Sequence, residues 1–163
     1  MKEIAIYRDN GSVDPRLINE FEQMTGYRLP KTYRELLAAH DALWPERRVF
    51  NFIDRSSGEP VNRDVTFYGF GEGVFEDEQI CLMQEHDVYG HEGVVTIGCA
   101  ANGDYIGFDY RGKLDDAEPA VVVMFHDVAD TEGKMLVNFV ASTFDAFIDI
   151  LYKPAGDDAE HHD

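Results

Sequence analysis

Cysteine is nearly missing from this chain: Cys81 and Cys99 are the only two, each alone in an apolar stretch. Two thiols cannot build the multi-bridge framework that holds small secreted domains together, and isolated cysteines in a reducing compartment behave as small buried hydrophobes. Also missing is any unbroken apolar span long enough to cross a bilayer. The first nine residues mix Lys2, Glu3, Arg8 and Asp9 among apolar side chains and lack the pattern of a secretory signal. These absences lead to the expectation of a cytoplasmic protein. The third deficit is positive charge. Fourteen Lys and Arg stand against thirty-two Asp and Glu, which gives −18 at pH 7. Such a field repels nucleic-acid phosphates and anionic lipid heads and attracts cationic surfaces. Neither nucleic acid nor membrane is therefore expected as a partner.

What is present is the material for a core. Hydrophobic residues make up 44% of the chain, which suits a packed domain rather than a disordered one. At 163 residues one domain fits better than two. Asp14 followed by Pro15 marks a helix start, because proline fits the first helical position where no N–H is needed. Leu17, Ile18, Phe21 and Met24 then recur on one helical face, and Gly26 supplies the stop. Leu29-Pro30 restarts the chain as a second helix with Tyr33, Leu36, Leu37 and His40 inward, closed by Pro45.

Beyond the helix pair the pattern changes to β. Residues 50–53 and 65–70 flank the polar stretch 55–60, which reads as a hairpin loop. Gly69, Gly71 and Gly73 read as a backbone bend leading into a weaker helical segment over residues 76–86, anchored by Ile80 and Met83. Residues 94–97 and 105–110 form two strands around the Asn102-Gly103 turn. Residues 120–125 are apolar on both faces, as in a doubly covered strand, and residues 136–140 form another. Ser142 and Asp145 have capping-box spacing ahead of a helix that buries Phe144, Phe147, Ile148 and Leu151 and ends at Lys153-Pro154. This order predicts an α+β fold: one domain over residues 1–154, a mostly antiparallel twisted sheet packed against an amino-terminal helix pair and a carboxy-terminal helix. Residues 155–163 are expected to be a disordered acidic tail.

The order of signals resembles the SUKH superfamily, which includes the SMI/KNR-type cell-wall regulators of fungi and many bacterial immunity proteins. The residues that carry the resemblance begin with Ile18, Phe21-Glu22, Gly26, Leu29-Pro30, Tyr33 and Leu36-Leu37. Ile97-Gly98, then Asn102-Gly103-Asp104 and Asp109 follow, and Pro119 precedes an apolar strand. Residues 141–147, Ala-Ser-Thr-Phe-Asp-Ala-Phe, open the closing helix. The first block is fairly specific, since a helix, a glycine stop, Leu-Pro and an aromatic restart must coincide. One departure is the segment Ala42-Leu43-Trp44-Pro45, where many members carry an Asn-Gly or Gly-Gly turn. The resemblance implies a single α+β domain without known catalysis. In bacterial members it implies an immunity protein that neutralises a nuclease- or deaminase-type toxin by direct binding. The fungal members are regulatory scaffolds, which supplies an alternative reading with several partners and no toxin.

The chemical alternatives are weaker. His86 and His91, with Glu85 and Glu92, could be imagined as a zinc site, but no His-x-x-x-His on a marked helix and no paired cysteines support one, so they read as solvated loop histidines. His161 and His162 could take a stray transition metal only weakly, and His40 reads as a satisfied core or edge residue. His126-Asp127 ends a strand where enzymes often place acid–base groups, yet Cys81 or Cys99 would have to converge on it as nucleophile. The reading is therefore not an enzyme, with no metal and no cofactor. Binding is expected instead at acidic loops, where sequence is free of packing demands. Those residues are Glu72, Glu76, Asp77 and Glu78 around the bend and Asp115, Asp116 and Glu118 before the buried strand. Tyr68, Phe70 and Tyr89 are aromatic anchors on condition that they are exposed. The expected partner is a cognate, basic toxin protein.

Overall fold

The computed structural model describes residues 3–113 and 117–156. The amino-terminal arm forms β1 (Ile6–Arg8), which leads into α1 (Pro15–Thr25). Asp14 Oδ1 accepts from the Arg16 N–H at 2.9 Å, and Gly26 ends the helix in the left-handed conformation at φ 79°, its N–H donating to the Glu22 carbonyl. Ile18 and Phe21 are buried as expected, but Met24 is exposed. The covering layer ends before the last turn of α1, so the stripe is one residue shorter than its periodicity. Next comes α2 (Lys31–Ala39), which buries Tyr33 and Leu37.

Helix α2 does not run on to Pro45. It stops at His40, whose Nδ1 lies 2.5 Å from Asp9 Oδ2, and Pro45 belongs instead to β2 (Trp44–Pro45), paired with β1. Tertiary bonds pull the chain out of the helix here. The Asn10 N–H donates to the Asp41 carbonyl, and the Asp41 carboxylate accepts from the N–H groups of Phe70 and Gly71. Ala42 then takes a left-handed conformation at φ 50°. That is the geometry glycine or asparagine adopts with little strain, so the turn survives although its usual residues do not.

The hairpin predicted after the helices exists with a different second strand. β3 (Val49–Ile53) pairs with β4 (Pro60–Asp64), not with residues 65–70. Pro-Val-Asn-Arg-Asp carries no hydrophobic alternation, so the pairing was invisible to periodicity. Thr66–Phe67 instead becomes β5, the edge of an antiparallel five-stranded sheet completed by β6 (Val94–Cys99), β7 (Tyr105–Asp109), β8 (Ala120–Ala129) and β9 (Met135–Ala141), in that spatial order. A Cβ on Gly98 would sit 2.4 Å from the Thr66 carbonyl oxygen, so the close approach of β5 to β6 requires glycine there.

Residues 76–86 are not a continuous helix. They form two 3₁₀ turns, Glu76–Glu78 and Ile80–Leu82, before the single turn α3 (His86–Tyr89), with Ile80 and Met83 buried as the expected anchors. The closing helix α4 (Phe144–Ile150) is capped by Thr143, whose Oγ1 accepts from the Ala146 N–H at 3.0 Å, rather than by Ser142. Asp145, freed from a capping role, accepts from the Thr32 hydroxyl at 2.6 Å and ties α4 to α2. Of the two free cysteines, Cys81 is exposed rather than buried and Cys99 is half-buried. The expected tail lies outside the described residues beyond Gly156.

The main core lies between the helices and one face of the sheet, and Tyr33 is its hub. Its ring meets Phe67, Phe70, Phe108 and Phe144 edge-on, at centroid separations from 5.0 to 6.5 Å. Val121, Val123 and Phe125 of β8 point into this core, while Val122 and Met124 join Val94 and Val137 on the opposite face. The strand is therefore covered twice, as its composition implied. At the hub the Tyr33 hydroxyl is fully buried with no hydrogen-bond partner among the described residues, and burial raises its pKa well above the ordinary tyrosine value. A buried hydroxyl that makes no bond is a net cost. Tyr33→Phe is accordingly expected to leave stability unchanged or raise it by about 0.5–1 kcal/mol. A thermal melt reads this directly, and a loss above about 1 kcal/mol would mean that the hydroxyl has a partner.

Candidate partner-binding surface

The bend after β5 is pinned from beneath. The Gly69 N–H donates to the Glu78 carbonyl at 2.8 Å, and the Ile80 N–H returns a bond to the Gly69 carbonyl at 2.9 Å. The buried Asp41 carboxylate accepts from the Phe70 N–H at 2.7 Å and the Gly71 N–H at 3.0 Å, and the Gln79 amide donates to the Gly71 carbonyl at 2.9 Å. A Cβ at Gly69 would meet Val74 Cγ2 at 2.6 Å, and one at Gly71 would meet Asp41 Oδ2 at 2.7 Å. The glycines thus serve close backbone approach and form no phosphate cradle. With Ile80 and Met83 plugged into the core below, residues 69–83 are held in one shape.

That shape presents a ridge to solvent. Phe75 is 77% exposed, the highest value among the large hydrophobics of the described residues, and Leu82 (53%) and Val88 (47%) follow it along the chain. Glu72, Glu76 and Asp77 beside Phe75 are exposed, and Glu78 is half-buried. Among the described residues no cation pairs with any of these four carboxylates. The field also reaches the neighbouring thiols. Burial first, then the Glu20 charge, raises the Cys81 pKa, and burial, Asp64 and Glu78 raise that of Cys99 against the lowering bonds from Thr66 and Tyr68. Neither thiol is activated as a nucleophile.

The other sequence candidates fall elsewhere. Tyr68 and Phe70 are buried in the core, at 3% and 5% exposure, so the condition set for them as anchors is not met. Phe70 packs edge-on against Phe21 of α1 at 5.4 Å and Tyr33 of α2 at 6.4 Å, while Tyr68 lies beside Cys99 of β6. Tyr89 is half-buried and turned against Tyr105, 6.2 Å away between centroids. Asp115 and Asp116 lie outside the described residues. Glu118 is exposed on the rim of a groove of about 610 Å³ between the α1–α2 link and the β7–β8 connection, which Arg28, Lys31 and Lys113 also line. Phe75 and Leu82 were missed, because in Val74-Phe75 the sequence does not tell which neighbour turns inward. The close packing of Val74 over Gly69 settles it.

His40, His91 and His126 are partners of carboxylates. His91 is buried rather than solvated: Nε2 lies 3.5 Å from Asp130 Oδ2, and Nδ1 lies 3.0 Å from the Glu92 carbonyl. Both ring nitrogens are engaged, and His86 stands apart, exposed. His126 Nδ1 lies 2.5 Å from Asp104 Oδ1. Asp104 is buried, and its two oxygens also accept from Arg63 Nε at 2.7 Å, Asn102 Nδ2 at 2.9 Å and the His126 N–H at 3.0 Å. Burial pushes the Asp104 carboxyl up, but these four bonds outweigh it and leave its pKa lowered. Among the described residues, Asp104, His126 and Asp127 are the one group close enough to share a cation. The Arg63 guanidinium already neutralises the central carboxylate of that group, and neither cysteine joins it.

Among the described residues no helix is long and apolar enough to cross a membrane. A family model, described as the SMI1 / KNR4 family (SUKH-1), matches residues 12–150, from just ahead of α1 to the last residue of α4. No curated protein matches the chain.

Proposed function

Given that the chain belongs to the SMI1/KNR4 (SUKH-1) family, we propose that it is a non-catalytic immunity protein. It acts in the cytoplasm by docking onto a cationic, nuclease- or deaminase-type toxin. The observation that carries this reading is the ridge: an exposed Phe75 among carboxylates that make no ion pair among the described residues, on a bend held from below by hydrogen bonds. The negative field speeds encounter with a basic surface, and the apolar anchor sets how long the complex lasts. Rigid display keeps the ordering cost of binding small. Glu72, Phe75, Glu76 and Asp77 form the centre of the interface, with Glu78 and Tyr89 at its margin.

Co-purification with the product of the neighbouring gene tests the reading. A stable one-to-one complex that abolishes the partner's nuclease or deaminase activity is the expected result. Several weak partners and no toxin gene nearby would favour the regulatory-scaffold alternative instead.

A further inference from the structure

A second exposed surface, opposite in sign, lies on the amino-terminal arm. Strand β1 is paired only with β2, so among the described residues its outer backbone edge has no neighbour. Across the β1–β2 pair beside that edge, four side chains form a ladder. Arg8 Cζ sits 4.3 Å from the centroid of Trp44, Trp44 stacks on Tyr7 at 6.5 Å and 30°, and Arg48 Cζ lies 5.5 Å from the Tyr7 ring. Tyr7 is 63% exposed, and Arg8 and Arg47 are exposed with no ion pair among the described residues. Arg47 also borders a hollow of about 410 Å³ with Glu3, Ile4 and Ala5, next to the β1–β2 pair.

We propose that this edge is a docking site for an extended, acidic segment of a partner protein, which adds to β1 as a further strand. Stacking fixes the Arg8 guanidinium by its face and leaves its N–H edge free for a carboxylate. The backbone of β1 supplies the remaining hydrogen bonds, as in other cases of strand addition. The net charge of −18 does not prevent this. At physiological salt, charges more than about 8 Å away are screened, so a short segment meets mainly the arginines. A long nucleic acid would extend past them onto the acidic body, and a cationic strand would meet Arg8 and Arg47 directly. The inference is independent of what binds the Phe75 ridge.

Trp44 is the only tryptophan and lies inside the ladder, so its fluorescence reports occupancy. The probe is a short acetylated peptide of alternating Glu and Thr, titrated into the full chain. Saturable change in Trp44 emission is expected, with affinity at least about ten-fold weaker in the Arg8→Gln, Arg47→Gln double variant. A peptide with Lys in place of Glu, and a Glu peptide N-methylated at every second residue, are both expected to bind at least about ten-fold more weakly. Both arginines are exposed, and an unchanged thermal midpoint would show the variant to be folded. The proposal is overturned by an unresponsive Trp44, or by equal binding of the Lys peptide or of the N-methylated one. It is also overturned if a chain ending at Gly156 shows altered Trp44 emission by itself and binds the probe more tightly, because residues 157–163 would then be the occupant.

Discussion

Asp104→Ala is expected to cost about 3 kcal/mol of folding stability, the largest loss for any single polar side chain in this fold. The carboxylate is 1% exposed and meets a guanidinium, an amide, a backbone N–H and an imidazole. Removing it takes an acceptor from all four, and the Arg63 charge is left over the rings of Phe125 and Phe52 without its counter-ion. A fully enclosed pair costs about 3–5 kcal/mol to break, and the partial exposure of Arg63 places this one at the low end. The effect must also depend on pH. The folded-state pKa of Asp104 is lowered, so below the ordinary carboxylate range the unfolded chain takes up the proton first. Its contribution is complete above about pH 5, well clear of the unfolded value near 3.9, and is lost as pH falls through the folded value. Urea midpoints of wild type and variant should therefore differ most near neutrality and converge in acid. Equal midpoints at pH 7 would show that the network contributes nothing.

Phe75→Ala is expected to weaken the proposed toxin complex by at least about 30-fold while leaving folding intact. With 77% of the residue in solvent, truncation opens no cavity in the free protein. Its apolar surface gains value only when a partner covers it, so the loss should appear in the dissociation rate. Leu82→Ala, on the same segment but less exposed, should cost less. If Phe75→Ala binds as well as wild type, the anchor lies elsewhere and the ridge is only a solvated acidic face.

The helices and the second half of the sheet were legible in the sequence because local chemistry decides them. Asp14, Pro15 and Gly26 bound α1 without help from the rest of the fold, and the Asn102-Gly103 turn fixes the β6–β7 pairing. What was not legible depends on contacts between distant residues. The end of α2 depends on Asp41 reaching Phe70 and Gly71, and β4 is a strand because it lies against β3, not because of its own polar residues. The acidic character of the candidate surface was plain from composition, and its carboxylates at residues 72–77 do reach solvent. The rings proposed as its anchors, Tyr68 and Phe70, are buried, and Phe75 is the exposed one. Tyr68, Phe70 and Phe75 are equivalent as residue types, and only the course of the chain past Gly69 and Gly71 decides which ring points out.

The most direct test is the association rate constant with the proposed cationic toxin, measured by stopped flow over a range of ionic strength. Wild type should associate fast at low salt and slow steeply as salt rises, while the Glu72→Lys, Glu76→Lys, Asp77→Lys variant should be at least about ten-fold slower at low salt and nearly insensitive to it. Identical rate constants for the two proteins at every ionic strength would contradict the account.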